Sequence, residues 1–290
     1  MRLYSSVIKL INQYPVTIPP PGAQHAHAAF FHILKQVDLN LASKIHEIEG
    51  KGKRKPFTIS PIMGLPEISR RDRYDKKQGF ELFLEAGWEC WLRVTLLDET
   101  LFHSFIEYFL CPSSSLERGS KGSGIIRLGA AHFLVSEILT IPSSHSWAGF
   151  TSIEDLQKRL DDPPPESIIF ELHTPTSFKT GNIIELIPYP KLAFGNLATA
   201  WKNLSGENHV ETIEKYAQNN LRLMLHRLDR RALVLHNQPQ LGSTGKVEYL
   251  FIKPEDTLMA RYINLLAGLA FYSGLGRKTA QGMGMCRQLI

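Results

Sequence analysis

The spacing of apolar residues changes several times along the chain, from every second position to every third or fourth position. Spacing by two is typical of strands, and spacing by three or four is typical of helices. In the first half the pattern predicts strands at 2–11, 56–60, 80–84, 89–96, 124–128 and 132–140, and helices at 24–37, 39–49 and 99–110. Asp38 is the predicted N-cap of the second helix, and Gly50 ends that helix.

The second half repeats this order of elements without repeating the residues themselves. Its pattern predicts strands at 167–172, 221–228, 231–236, 247–252 and 283–289, and helices at 192–204, 210–218 and 254–272. A small sheet with helices on one face, in the order β-α-β-β-α-β, is the ferredoxin-like pattern. The proline-rich stretch 142–166 separates the halves. We therefore predict an α+β protein of two tandem ferredoxin-like (RRM-like) domains, at residues 1–145 and 146–290.

Composition agrees with two ordinary globular domains. The chain has 290 residues, of which 43% are hydrophobic and 21% are charged. Its three cysteines are far apart and form no C-x-x-C pair, which argues against a disulfide scaffold and a zinc ribbon. The first residues lack the apolar segment of a signal peptide, and the apolar stretch 262–272 is too short to cross a bilayer. We therefore expect a cytoplasmic protein without a membrane partner.

Residues 274–285 (GLGRKTAQGMGM) place four glycines around an Arg-Lys-Thr core. Glycine lets the backbone approach a bulky group and turn its N–H groups outward, and the Arg-Lys pair indicates a phosphate chain. A P-loop is disfavoured because Arg277, and not glycine, precedes Lys278. A dinucleotide-binding loop is disfavoured because Thr279 stands at the third glycine position and too few residues follow for a Rossmann sheet.

Two interpretations of this loop remain, a tight turn without a ligand and a backbone cradle for RNA. So many glycines beside two cations favour the cradle, and the predicted RNA-binding residues are Gly274, Gly276, Arg277, Lys278, Thr279, Gly282 and Gly284. The net charge of +5 fits this reading, as do basic clusters at 51–55, at Arg70 and Arg71, and at Arg230 and Arg231. Each cluster alone can be a solvated face, but together they suit an RNA stem held by its phosphates.

Three segments carry a resemblance to known proteins. The glycine loop, between a helix and a last strand, resembles the C-terminal loop of the RAMP superfamily, CRISPR-associated proteins built from paired ferredoxin-like folds. Residues 41–47 (LASKIHE), with the basic loop and 56–61 (PFTISP) after them, resemble the N-terminal stretch of the CRISPR repeat-cleaving endoribonucleases. Residues 172–179 (LHTPTSFK) resemble the start of that family's second domain. The segments occur in the family's order and span nearly the whole chain.

The resemblance implies a reaction and residues that perform it. Family members cut precursor CRISPR RNA within its repeats without a metal, by attack of the ribose 2′-OH on the adjacent phosphate. The products are a 2′,3′-cyclic phosphate and a 5′-OH, so the reaction needs a base, an acid and a cation. By local context the resemblance assigns the catalytic histidine to His46, although a helix-terminal histidine can also serve only the helix dipole. It places a catalytic lysine in the loop that contains Lys51 and Lys53, which the register does not separate.

The first helix departs from the family pattern. Counting along the helices places Phe31 where many family members have tyrosine or a second histidine, and phenylalanine cannot transfer protons. A small change of register brings His32 to this position, although a surface or core role for His32 is equally compatible. His25 and His27 form an H-x-H pair, but no third ligand lies at a usual spacing, so we expect neither a metal nor another cofactor.

Two other functions stay open beside the nuclease. A non-catalytic RAMP-type subunit that holds CRISPR RNA in an effector complex would use the same loop and basic clusters. A nucleotide-using enzyme would bind ATP or NAD. We predict the nuclease, with CRISPR repeat RNA, a stem-loop with a single-stranded flank, as its partner. Candidate protein partners are other CRISPR-associated proteins of an effector complex and a second copy of the chain.

Overall fold

The computed structural model of the protein describes residues 1–18, 22–48, 50, 53–66, 82–110, 124–236, 238–252 and 257–289. The first part of the chain forms β1 (Arg2–Asn12), β2 (Val16–Ile18), α1 (Ala23–Val37), α2 (Leu39–His46), β3 (Phe57–Ile59), β4 (Leu82–Leu84), β5 (Glu89–Leu96), α3 (Glu99–Leu110), β6 (Ile125–Leu128) and β7 (Ala131–Leu139). The remainder forms β8 (Gly149–Ser152), α4 (Ile153–Gln157), β9 (Ser167–Thr176), β10 (Phe178–Thr180), β11 (Ile183–Glu185), α5 (Pro190–Ser205), α6 (Val210–Asn220), β12 (Leu221–Leu235), β13 (Gln238–Phe251), α7 (Leu258–Ser273) and β14 (Cys286–Leu289).

The two halves share one strand order. The first sheet runs β3-β5-β1-β7-β6, and the second runs β12-β13-β9-β14, with every pair antiparallel. In each sheet the first long strand lies between the third and the last, and the second strand lies on the far side of the third. The predicted α+β fold with two ferredoxin-like units is therefore confirmed. The predicted boundary between 145 and 146 precedes β8, which still pairs with β1 of the first sheet.

Helix α1 packs on the first sheet because its apolar residues fall on one face. Phe30, Ile33 and Leu34 are buried, and Phe30 stacks on Phe57 of β3 with ring centroids 4.2 Å apart. The Asp38 side chain accepts a hydrogen bond from the Leu41 amide at 2.9 Å, so the predicted N-cap of α2 is confirmed. Asp38 is thus both the C-cap of α1 and the N-cap of α2, and α2 ends at His46.

A buried arginine joins the two domains. Arg93 of β5 is 1% exposed, and its guanidinium donates to Ser5 Oγ at 2.8 Å and to the Trp147 carbonyl at 3.2 Å. It also donates to the Phe271 carbonyl of α7, and its charge lies 4.4 Å from the Phe271 ring centroid. Burial lowers the pKa of Arg93 to about 9, so the group stays charged at neutral pH. These bonds fix α7 of the second domain against the first sheet.

The second domain differs from the sequence prediction in a long hairpin and in the short pair β10–β11, which was not predicted. For the long hairpin we predicted two strands before its turn, at 221–228 and 231–236. The structure instead has one continuous strand, β12, which pairs with β13 along nearly its whole length. Its tip reaches the first domain, where Leu233 and Leu235 pack against Ala23 at the start of α1. Within the described ranges, no helix combines the length and apolar character needed to cross a bilayer.

Candidate active site

The last turn of α2 presents His46 at the surface. The Lys55 Nζ lies across the end of this helix and donates to the carbonyls of Ile45 and His46, both at 2.9 Å. Carbonyls in the last turn of a helix lack most of their partners within it, and the Ile45 carbonyl also accepts from the Ile48 amide at 3.3 Å. A cation here complements the helix dipole. Lys55 therefore holds the end of α2 in place, and its positive charge lies close to the His46 backbone.

The Phe31 ring lies at the centre of the candidate site. It is 6% exposed, and the His46 ring contacts it edge-on with centroids 5.4 Å apart. The His27 ring, one helical turn earlier on α1, contacts the same Phe31 ring at 5.0 Å. Lys55 Nζ lies 5.8 Å from the Phe31 centroid. Phe31 is thus an apolar wall between two imidazoles and one ammonium group.

His27 connects this wall to the glycine loop of the other domain. Its Nδ1 lies 2.7 Å from the carbonyl oxygen of Ala280, and because a carbonyl only accepts, Nδ1 carries the proton. In the neutral ring, Nε2 is then free to accept a proton. Burial lowers the pKa of His27; the bond to Ala280 raises it, and the positive charges of Lys55, His46 and His236 lower it further. The net shift is downward, which favours the neutral ring at pH 7.

The H-x-H pair does not converge on one point. His25 lies beside Gly129 of the β6–β7 turn, while His27 faces Ala280. Across the described part of the chain, no three His, Cys, Asp or Glu side chains come together as a group that could hold a metal ion.

The glycines of the 274–285 loop face the protein interior. Gly274, Gly276, Gly282 and Gly284 are buried and all have positive φ. A Cβ on Gly276 would lie 2.5 Å from the Ser177 carbonyl oxygen, and one on Gly284 would lie 2.1 Å from the Leu275 carbonyl oxygen. These positions need glycine because the loop packs directly on other backbone.

The loop packs on the segment that resembles the start of the family's second domain. The Met285 amide donates to Thr174 Oγ1 at 2.9 Å, and the Gly284 amide donates to the Pro175 carbonyl at 3.1 Å. The Arg277 amide donates to the Ser177 carbonyl at 2.9 Å. Two segments that are 100 residues apart in the sequence therefore form one structural unit, and most amides of the glycine loop are used inside it.

Three successive amides of the loop, those of Lys278, Thr279 and Ala280, take no part in these bonds. Lys278 has a left-handed backbone (φ 57°, ψ 32°), and the short 3-10 turn Thr279–Gln281 follows it. A left-handed residue before a right-handed one forms a nest, in which three successive N–H groups converge on one point and bind anions. Among the described residues, the amides of Lys278, Thr279 and Ala280 have no acceptor. Within the loop, this nest is the part whose geometry suits an anion, and it lies next to the carbonyl that accepts from His27.

Some of the predicted residues lie at the site, and others do not. His46 and Lys278 lie at the site, and the exposed Lys53 lines the adjoining cleft. His32 follows Phe31 by one residue, which turns it about 100° around α1 onto the exposed face. Its Nε2 lies 3.4 Å from Gln36 Nε2.

Of the other predicted residues, Arg277 directly precedes the nest and Thr279 is part of it. The remaining predicted cations lie on β12 or outside the described residues. Arg230 and Arg231 are exposed on β12 and pair with Ser243 and Gly242 of β13. Lys51, Arg70 and Arg71 lie outside the described residues. The catalytic and RNA-binding roles of all the predicted residues stay predictions.

Sequence reasoning missed three residues near the site. His27 was seen only as half of an H-x-H pair, because its partner Ala280 is 253 positions away. Lys55 and Arg54 were seen only as part of a basic loop. The order HAHAAFF (25–31) carried a usable signal, since Phe31 follows His27 by four positions and this spacing places both on one helix face.

A cleft between the domains adjoins the nest. Its walls are Lys53–Lys55 from the first domain, and Asn196 and Thr199 of α5 with residues 276–281 from the second. The enclosed volume is about 370 Å³, and a second cavity of about 360 Å³ continues from it. Lysine and arginine are the charged residues of these walls, so the cleft has a positive potential.

Comparison with known proteins agrees with this architecture. Residues 2–158 match the family model of the CRISPR Cas6 N-terminal domain, and residues 170–286 match that of the CRISPR-associated endoribonuclease Cas6. A search of curated proteins found no match.

Solved structures give the same result. A Cas6 product complex is 25% identical, with a TM-score of 0.76 over 99% of both chains. Thermus thermophilus Cas6 is 25% identical, with a TM-score of 0.69 over 99% of this chain and 98% of the other. A Cas6 substrate mimic complex shares the fold at 21% identity, with a TM-score of 0.67 over 100% of both chains. The chain thus belongs to the Cas6 family of CRISPR-associated endoribonucleases, the enzymes that process CRISPR RNA.

Proposed function

We propose that this enzyme cuts precursor CRISPR RNA within its repeats, without a metal, by attack of the ribose 2′-OH on the neighbouring phosphate. The observation that supports this most strongly is the pairing of two imidazoles, His27 and His46, around Phe31, next to the nest of Lys278, Thr279 and Ala280. Two proton carriers beside an anion site are what such a reaction requires.

His27 is the proposed general base. Its Nδ1–H is held by the Ala280 carbonyl, so Nε2 presents its lone pair to the 2′-OH of the nucleotide before the cut. The lowered pKa of His27 keeps the ring neutral at pH 7, the state that a base needs. Ala280 thereby fixes the tautomer, as carbonyls and carboxylates do for other catalytic histidines.

His46 is the proposed general acid. It lies on the other side of Phe31 and is exposed, so it can reach the oxygen that leaves. The 2′-oxygen forms a bond to phosphorus as His27 takes its proton. The phosphorus–5′-oxygen bond breaks, and His46 donates a proton to the 5′-oxygen. The products are a 2′,3′-cyclic phosphate and a 5′-OH, with the charge unchanged.

The nest carries the charge that develops on the phosphate. The Lys278, Thr279 and Ala280 amides converge on one point, and Lys278 adds a full positive charge nearby. Fixed donors of this kind stabilise a transition state because they need no reorganisation during the reaction. Lys55 keeps a second cation beside His46, and Lys53 stays a candidate for the same task.

A cleavage assay in EDTA tests the reaction. End-labelled repeat RNA from the same genome is incubated with the protein, and the ends of the products are identified by mass. We expect cyclic phosphate and 5′-OH ends at an undiminished rate in EDTA. His46→Ala should abolish cleavage and keep RNA affinity, while His32→Ala should have little effect. Binding without cutting would instead favour the non-catalytic subunit, and loss of activity in EDTA would contradict a metal-independent reaction.

A further inference from the structure

The cleft beside the nest contains a half-buried cation, Arg54, with no carboxylate beside it among the described residues that line the cleft. Arg54 lines both adjoining cavities, and its Nη2 donates to Asn196 Oδ1 at 3.3 Å and to the Gly276 carbonyl at 3.1 Å. Its Nη1 is fully buried and has no hydrogen-bond partner among the described residues. Burial lowers the pKa of Arg54 to about 10, so the guanidinium is charged at neutral pH.

A buried donor without an acceptor costs free energy, and a buried charge without a partner costs more. The cavity walls raise this cost, because Lys53 and Lys55 lie beside Arg54 and no Asp or Glu belongs to the described lining. An anion in the cleft beside the guanidinium would offset the uncompensated charge. Phosphate suits guanidinium geometry, because it accepts two parallel N–H bonds.

The cavity next to Arg54 has a different chemistry on its other walls. Ile48, Pro56, Leu97, Ala200 and Leu204 give it apolar surfaces, with Asn203 and Ser273 as polar groups. Its volume of about 360 Å³ lies at the small end of ligand-binding cavities. A base pair with its two backbones does not fit there, whereas a single unpaired base does.

Thr279 connects this cavity to the catalytic site. It lines both cavities and is the middle residue of the nest, one position before the carbonyl that holds His27. A strand whose phosphate lies on the nest can therefore place its next nucleotide in the cavity without leaving the cleft.

We propose that the cleft between the domains binds one unpaired nucleotide of the RNA flank next to the cut. Arg54 and Lys53 hold its phosphate, and the apolar wall formed by Ile48, Pro56 and Leu204 contacts its base. The site rests on the proposed function, because it is defined relative to the cut. RNA-binding proteins commonly combine such a cationic track with contacts to exposed bases.

The test uses repeat RNA with a 2′-deoxy substitution at the cut, which binds but cannot react. Affinity is measured between low and moderate salt for the wild type, Arg54→Met and the charge-matched control Arg2→Met, which lines neither cavity. For Arg54→Met we expect about 10-fold weaker binding at low salt, and a salt slope smaller by about 0.7. For Arg2→Met we expect neither change. If the salt slope of the affinity is unchanged in Arg54→Met, the role of this residue is only to hold Gly276 through its hydrogen bond to the carbonyl.

A second variant tests the base. RNAs with one abasic nucleotide are scanned through the unpaired flank. In the wild type, an abasic nucleotide at one position of the flank should weaken RNA binding about 10-fold, because the base contact is lost. In Leu204→Trp, whose larger side chain fills the cavity, the abasic nucleotide at that position should not weaken RNA binding. The salt dependence of the affinity should stay as in the wild type. The proposal would be overturned if every abasic substitution lowered the RNA affinity by the same factor in the wild type and in Leu204→Trp.

Two further measurements separate the possible failures. Asn196→Ala removes the Arg54 partner and keeps the charge, so a salt slope that falls as in Arg54→Met would indicate loop disorder and not a lost phosphate contact. Thermal unfolding of each variant confirms that it is folded. If wild-type protein binds as described but never cuts the unmodified RNA, then the proposed reaction fails and the nucleotide site stands.

Discussion

The two sides of the candidate active site are built in opposite ways. On the first domain, exposed or half-exposed side chains at the ends of short helices form the site, and His46 and Lys53 project into solvent. On the second domain, the glycine loop is a buried backbone whose positions are fixed by direct contact with residues 174–177. In the proposed reaction, the first side supplies proton carriers that can adjust to the substrate, and the second supplies a rigid set of amides.

The difference separates activity from stability. A substitution among the exposed groups removes a reacting group and leaves the core intact. A substitution at a loop glycine forces backbone against backbone and must unfold the loop. The predictions below test this division, because each pairs a residue from one side with a control that lacks the feature in question.

The largest expected effect is on stability, at Gly284. Its φ is +74°, and a Cβ would lie 2.1 Å from the Leu275 carbonyl oxygen, so Gly284→Ala combines strain with a clash against backbone. We expect a loss of about 4 kcal/mol in the free energy of unfolding, measured by chemical denaturation. Gly181 is the control, since its φ is +60° and nothing lies within 4 Å of the added Cβ. Gly181→Ala should cost only about 1 kcal/mol. Equal losses would mean that packing at the loop is unimportant.

The next effect is on catalysis, at His27. Glutamine can still donate to the Ala280 carbonyl but cannot act as a base, so His27→Gln should keep the fold and the RNA affinity. We expect the cleavage rate to fall by about 10² to 10³ in single-turnover assays. His25→Gln, two residues earlier and facing Gly129, is the matched control and should cleave normally. A similar loss in both variants would contradict the special role of His27.

A smaller effect is expected at Lys55. Lys55→Met removes the cation that donates to the Ile45 and His46 carbonyls, so the end of α2 loosens and a positive charge leaves the site. We expect about a 10-fold lower cleavage rate and about 1 kcal/mol less stability. Lys44→Met removes an exposed charge from the same helix and should change neither quantity measurably. If Lys44→Met matched Lys55→Met, the effect would be one of net charge alone.

The smallest effect concerns pH. Because the folded-state pKa of His27 is lowered, the ring stays neutral further into acid than a free histidine does, whose pKa is about 6.5. The acidic limb of the kcat/KM profile should therefore have its midpoint below pH 6.5. Lys55 lowers this pKa, so Lys55→Met should move the midpoint upward. A midpoint above 6.5 in the wild type would exclude His27 as the base.

The same shift has a consequence for stability. A histidine with a lowered folded-state pKa stabilises the fold fully above its unfolded pKa, and this contribution is lost as pH falls through the folded value. The stability of the wild type should therefore decrease more steeply just below pH 6.5 than that of His27→Gln. Denaturation midpoints at several pH values measure this difference, and parallel curves would contradict it.

The sequence was most informative where the structure is periodic. The alternation and the helical spacing correctly placed β1, α1 and the Asp38 cap, because an element that covers a core must bury one face. It failed at β12, where two strands with a break at 229–230 were predicted and one continuous strand is found. That hairpin is exposed over much of its length, so charged residues fit within a strand.

The site was harder to predict than the fold. His46 and the glycine loop carry local patterns that a reader of the sequence can find. The spacing of His27 and Phe31 places both on one helix face, and Arg54 has no such pattern. The roles proposed for His27 and Arg54 depend on a partner in the other domain, Ala280 for one and Gly276 for the other.

Periodicity and the conformational range of glycine were sufficient to predict the two ferredoxin-like units, the basic loop and a glycine-rich turn. The folded structure was needed to learn that the glycines pack inward and that, among the described residues, three successive amides have no acceptor. It also decided that His27 shares a wall with His46, and that Arg54 is enclosed between the domains. Such features depend on distances between segments far apart in the chain, which no local pattern encodes.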